Sequence, residues 1–146
     1  MPPPPPRIPA GDSVLLIRTN FTDNHAWLSI MRAATAENDE GFSANLTVLD
    51  DASWSGLSAQ DVFTAHVGDT VRCIAFIVDE ATIHDTVQRA ILCVNLGGGG
   101  GKGKKLRTMR VIPSELWSVE NNLSLGNMEW RDFSTALDER GVFTGF

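Results

Sequence analysis

The chain has 146 residues, 42% apolar and 21% charged, which fits one domain able to bury roughly 68–70% of its extended surface without disulfide staples. Its 18 acidic residues outnumber 12 basic ones, leaving a net charge of −6, so nucleic acid is not an expected partner, because phosphate backbones are held by clustered Lys and Arg. No run approaches the roughly 18 apolar residues of a membrane span, and no signal-peptide core is expected at the N-terminus. Cys73 and Cys93 each lie in an apolar run, as buried reduced thiols of a cytoplasmic protein would.

Residues 1–11 (MPPPPPRIPAG) hold six of the seven prolines and are expected to be a disordered, solvated tail, with a single α/β domain over 12–146. Ser13 to Arg18 (SVLLIR) is a continuous apolar run, the pattern of a strand covered on both faces. From His25 to Ala36 apolar residues recur at helical spacing after the capping residues Thr22-Asp23. Ala44 to Leu49 alternates polar and apolar, as a half-exposed strand near a sheet edge does. Ser58 and Asp61 resemble a capping box before a short helix that Gly68 can end. Val71 to Val78 and Ile91 to Val94 read as buried strands, separated by Asp79 to Ala90 with room for one or two helical turns. Thr108 to Ile112 is a fifth strand. The glycine-lysine stretch 97–105 between the last two predicts a flexible loop, and the short connection makes those strands antiparallel if they are neighbours. Asn127 is expected to cap a final helix with Met128, Trp130, Phe133, Ala136 and Leu137 inward, stopped at Gly141. The order predicts a mixed, mostly parallel sheet of four to six strands flanked by helices, flavodoxin-like in outline.

The C-terminal run PSELWSVENNLSLGNMEWRDFSTALDERGVFTGF (Pro113 to Phe146), together with LLIRTNF (Leu15 to Phe21), resembles an uncharacterised family of small actinobacterial and fungal proteins, a domain of unknown function with no assigned activity. The resemblance spans most of residues 14–146 and supplies a relationship without chemistry, so no functional residue is carried over from it.

Gly98-x4-Gly103-Lys104 has P-loop spacing up to the lysine, but Lys105 stands where the metal-binding Ser or Thr belongs, and a strand follows where a helix N-terminus is required. No dinucleotide fingerprint follows the first strand, and His25, His66 and His84 are too scattered for a zinc site. No cofactor and no bound metal are implied, although Asp50, Asp51 and Asp79 form a weaker magnesium option. Pro2-x-x-Pro5-x-Arg7 fits the pattern read by SH3-type grooves.

The informative polar residues fall at strand ends. If the first three strands are parallel, Arg18, Asn20, Asp50, Asp51, Asp79 and Glu80 emerge at the carboxyl edge, where open α/β sheets place their ligand crevice. Should the fourth strand run opposite to the third, the fifth returns parallel and Glu115 reaches the same edge. A second group packs Glu115, Trp117, Glu120, Asn121 and Asn122 into eight residues, and this mixture of one aromatic with amides and carboxylates reads equally as a polar pocket with a stacking wall or as an irregular connection whose side chains satisfy loose backbone groups. The expected function is small-molecule binding in that crevice, extended to cofactor-independent acid–base chemistry of an isomerase, cyclase or lyase type. Catalytic roles fall to Arg18, Asp79 and Glu115, and ligand contacts to Asn20, Asp50, Trp117, Asn121 and Asn122. Arg18 is expected to face a carboxylate or a ligand oxygen, so that Arg18→Lys weakens binding while Tm stays within a few degrees. The alternative is a non-enzymatic interaction module acting through the Trp/Asn-rich C-terminal segment and the proline tail, with a homo-oligomer or an SH3-type protein as partner.

Overall fold

Val14 to Ile17 are fully buried in the computed structural model, which describes residues 4–97 and 105–146. That continuous apolar run forms β1 (Val14–Arg18), covered on both faces. The other strands are β2 (Leu46–Leu49), β3 (Ile74–Val78), β4 (Ile91–Asn95), β5 (Arg107–Val111) and β6 (Val142–Phe143), joined into one sheet of order β2-β1-β3-β4-β5-β6. β1 pairs parallel with β2 and β3, β4 is antiparallel to both β3 and β5, and β5 is parallel to β6. Because β4 alone is reversed, every other strand ends at the same edge, called here the carboxyl edge. The first five positions keep the doubly wound order 2-1-3-4-5, with one strand inverted and a sixth added. As its alternating pattern predicts, β2 is the half-buried edge strand.

Alternation along the strands sorts side chains into two cores. Leu16, Phe76, Cys93, Met109 and Val111 face one side, packed by Trp27 and Ile30 of α1 (Asn24–Thr35), Leu116 and Val119 of α4 (Leu116–Ser124) and Phe133 of α5 (Trp130–Ser134). Leu15, Ile17, Ala75, Ile77 and Val94 face the other side, packed by Val62 and Phe63 of α2 (Ala59–Ala65) and by Trp54. Each fully buried large side chain contributes about 1.5–3 kcal/mol relative to exposure. α3 (Glu80–His84) fills the segment between β3 and β4, with Ile83 in the first core.

The connections explain where helices lie. β1 to β2 moves one way across the sheet with α1 on the first face, and β2 to β3 moves back with α2 on the other, so the two units share one hand. The parallel connection from β5 to β6 carries α4 and α5 on the first face while moving in the second direction, and is therefore opposite in hand to the usual crossover. This route lays α4 beside α1 and lets it reach back to the segment before β2.

Three readings of the sequence change. Residues 116–122 wind into the helix α4, with Glu115 as its N-cap, where the sequence left a polar pocket or an irregular connection open. The final helix is short: a capping box between Glu129 and Asp132 starts it at Trp130, and it ends at Ser134. Met128, Trp130, Ala136 and Leu137 still pack against the first core with Phe133, so the apolar spacing records burial correctly while overstating the helix. Val142-Phe143, beyond the expected last helix, closes the sheet as β6. Residues 4–11 carry no regular secondary structure, yet Ile8 packs against the second core and the Pro9 carbonyl accepts from Arg72 at 2.9 Å. The glycine-lysine motif, residues 98–104, lies outside the described residues.

Candidate functional site at the carboxyl edge

Arg18 ends β1 with its side chain on the α1 side of the sheet, 5% exposed. A buried guanidinium needs acceptors for its planar fork, and it has them. Nε donates to the Asn20 carbonyl at 3.1 Å, and one terminal nitrogen donates to Asn24 Oδ1 and Asp50 Oδ1, each at 3.2 Å. Its plane lies 4.3 Å from the Phe21 ring centroid and 5.2 Å from that of Trp27. Asp50, at the end of β2, also accepts from Trp27 Nε1 at 3.2 Å. Arg18 and Asp50 therefore fasten the ends of β1 and β2 to the start of α1, whose N-cap is Asp23.

On the opposite face, between the ends of β1 and β3, lies a polar crevice of about 380 Å³ lined by Thr19, Asn20, Gly56, Leu57, Asp79, Glu80 and Ala81. The chain leaves β1 toward one neighbour and re-enters as β3 on its other side, the switch point where doubly wound sheets open a ligand crevice. Gly56, at φ 76°, makes the left-handed turn that brings its N–H to the Thr19 carbonyl at 2.8 Å and closes one wall. Asn20 spends Oδ1 on the Thr22 N–H at 3.1 Å and the Thr22 hydroxyl at 2.6 Å, while its Nδ2 has no partner among the described residues.

Asp79 forms the far wall. It caps α3 by accepting from the Thr82 N–H at 3.1 Å and the Thr82 hydroxyl at 2.9 Å, and it meets Arg110 of β5 through two bonds of 2.9 and 2.8 Å. Arg110 also donates to the Ala90 carbonyl at 3.2 Å, bridging the reversed strand β4. Burial alone would raise the Asp79 carboxyl, but the Arg110 guanidinium and Thr82 outweigh it and hold the group below its ordinary range. Asp79 is thus a fixed anion, suited to accepting hydrogen bonds.

Of the residues singled out from sequence, Asn20 and Asp79 share this crevice, while Arg18 and Asp50 form the support behind it. Glu115 reaches the same edge after β5, as the reversal of β4 requires, with its carboxyl raised by burial. It sits beyond β4, two to three strand spacings or roughly 10–15 Å from the crevice, beside Gly145. Trp117 stacks on Phe42 with centroids 5.2 Å apart. Asn121 donates to the Ser43 carbonyl at 3.1 Å and Asn122 back to Ser118 of its own helix at 2.8 Å. α4 carries these three away from the crevice. Asp51 caps the turn over Ala52–Trp54. With Asp50 on Arg18 and Asp79 on Arg110, no group of three or more His, Cys, Asp or Glu able to hold a metal exists among the described residues. Arg110 and Gly56 are the members that sequence reasoning missed. An arginine in the half-exposed strand TMRVI was a usable signal for the first, whereas nothing local announced the second.

A family model described as Domain of unknown function (DUF6924) matches residues 13–146. The chain belongs to the DUF6924 family. The match begins one residue before β1 and runs to the C-terminus, so both the crevice and its Arg18 support fall within the DUF6924 domain, and residues 1–12 do not. No curated protein and no solved structure matches the chain. No helix among the described residues is long and apolar enough to cross a membrane.

Proposed function

We propose that this DUF6924 protein binds a small polar organic molecule in the crevice between the ends of β1 and β3. The observation that carries the reading is the convergence of Asn20, Asp79 and Glu80 on one cavity at the sheet's switch point. Two carboxylates and a side-chain amide with a free donor suit a ligand rich in hydroxyl or amine hydrogens, with Asn20 Nδ2 reserved for a ligand oxygen. Because Arg110 keeps Asp79 ionised, binding is the better supported role. An isomerase, cyclase or lyase step with Asp79 as proton acceptor is its extension, and Glu115 stands too far away to act with Asp79 on one small substrate. The free thiols Cys73 and Cys93 agree with a cytoplasmic setting.

The test is saturation-transfer NMR on the full chain with a pool of polyols, sugars, hydroxy acids and amines. Signals expected from the parent should disappear in Ala81→Trp, which fills the crevice from an exposed helical position, and weaken in Asn20→Ala. Signals that persist unchanged in both variants would remove the crevice as the binding site.

A further inference from the structure

The other edge of the sheet carries a second polar cavity, of about 200 Å³, where β1, β2 and β3 begin. Exposed Asp12, Asn45 and Ser124 form its rim, and Arg72, Cys73 and Glu120 lie beneath them.

Glu120 is the unusual member. It is 4% exposed and stands on α4, on the side turned toward the segment before β2. Oε1 accepts from the Asn45 backbone N–H and from Asn121 Nδ2, the latter at 3.0 Å. Oε2 has no hydrogen-bond or ion-pair partner among the described residues, and both donors to Oε1 are neutral. The nearby cation is committed elsewhere: Arg72 donates through Nε to the Ser13 carbonyl at 2.6 Å, and through its terminal nitrogens to Asp69 at 3.0 Å and to the Pro9 carbonyl at 2.9 Å. Asp69 balances its charge. A carboxylate buried without a cation is costly, and anchoring the Asn45 N–H would need only the amide oxygen of a glutamine. The charge also reaches Cys73, whose thiol is pushed up by burial first and by Glu120 in addition.

We infer that the amino-edge cavity is a binding site for a small primary ammonium compound, with the cation seated on Glu120 Oε2. An ammonium group offers three donors and no acceptor, matching an unpaired carboxylate oxygen beneath a rim of side-chain oxygens. A divalent metal would lack ligands, since no cluster of three such residues exists among those described. At about 30 Å³ for each water-sized group, the volume admits about six heavy atoms, the size of a short alkylamine. This site is separate from the carboxyl-edge crevice and stands or falls independently of it.

The test is a titration of the ¹⁵N-labelled full chain with ethylammonium chloride, run beside sodium, magnesium and tetramethylammonium chlorides at matched ionic strength. Ethylammonium alone should give saturable shifts at the Asn45 amide and the Asn121 side chain. Glu120→Gln should weaken that binding at least about tenfold, and Ser124→Trp, which covers the cavity from its rim while leaving Glu120 in place, should abolish it. Equal shifts from sodium or tetramethylammonium, tighter binding of magnesium, or an unchanged affinity in both variants would overturn the assignment. Should Glu120→Gln fail to fold, Ser124→Trp alone decides it.

Discussion

Arg18→Lys separates a supporting arginine from a ligand-binding one, and the structure changes the outcome expected from sequence. Lysine can keep one or two of the bonds to Asn24 and Asp50, but it has no equivalent of Nε and loses the bond to the Asn20 carbonyl. That loss amounts to about 1–1.5 kcal/mol. Replacing a flat guanidinium over Phe21 and Trp27 by an ammonium removes roughly another 0.5–1 kcal/mol. Asp50 is 46% exposed, so solvent screens the ion pair and its loss adds little. The sum is roughly 1.5–2.5 kcal/mol, and at about 3–4 °C per kcal/mol for a chain of this size Tm should fall by roughly 5–10 °C. Thermal unfolding followed by circular dichroism measures this directly, with Asn20→Ala as a control whose Tm should stay within about 2 °C. A Tm for Arg18→Lys within about 2 °C of the parent, combined with lost ligand binding, would refute the supporting role and return Arg18 to the ligand.

Three other outcomes follow from the buried polar groups and the tail. Asp79 is held below its ordinary value of 3.8, so its contribution to stability is present above that pH and is lost as the pH falls through the folded value. Asp79→Asn should therefore be clearly less stable than the parent by urea unfolding at pH 7 and converge on it toward pH 3; a constant gap would contradict the Arg110 clamp. His66 is buried, donates from Nδ1 to the Val62 carbonyl at 2.8 Å and has no partner for Nε2 among the described residues. Burial lowers its value below 6.5, so stability should decline as the pH drops from 6.5 while the unfolded chain takes up the proton. His66→Asn should erase that slope between pH 7 and about 5.5. Removal of residues 1–9 takes away the Ile8 packing and the Arg72 bond to Pro9 and should lower Tm by several degrees, about 1–2 kcal/mol, whereas removal of residues 1–6 should leave it unchanged.

Periodicity made most of the fold legible. Val14–Ile17, Ile74–Val78 and Ile91–Val94 are apolar throughout, and all belong to the buried centre of the sheet; β2 alternates and lies at its edge. The short link between β4 and β5 implied that those two strands are antiparallel, whereas residues 79–90 are long enough for either course, so the reversal of β4 against β3, and with it the edge that Glu115 reaches, was settled only by the pairing itself. What periodicity could not record is the path from β5 to β6. A hand opposite to the usual crossover is decided by how α4 packs between α1 and the sheet, and that is a tertiary choice. For the same reason Trp117, Asn121 and Asn122 looked like a pocket when read in line, yet winding into a helix sends them to different neighbours. The strand-end rule brought Asn20 and Asp79 to one crevice because both follow parallel strands. It could not anticipate that Arg110, two strands away, reaches across β4 to fix Asp79, since that pairing depends on register between β4 and β5.

The most direct test of the crevice is a crystal structure of the full chain equilibrated with the tightest-binding compound from the saturation-transfer pool. Ordered density is expected between Thr19, Gly56 and Ala81, with a ligand oxygen accepting from Asn20 Nδ2 and ligand donors meeting the carboxylates of Asp79 and Glu80. Density on the Phe42–Trp117 stack instead, with the crevice holding only water, would contradict it.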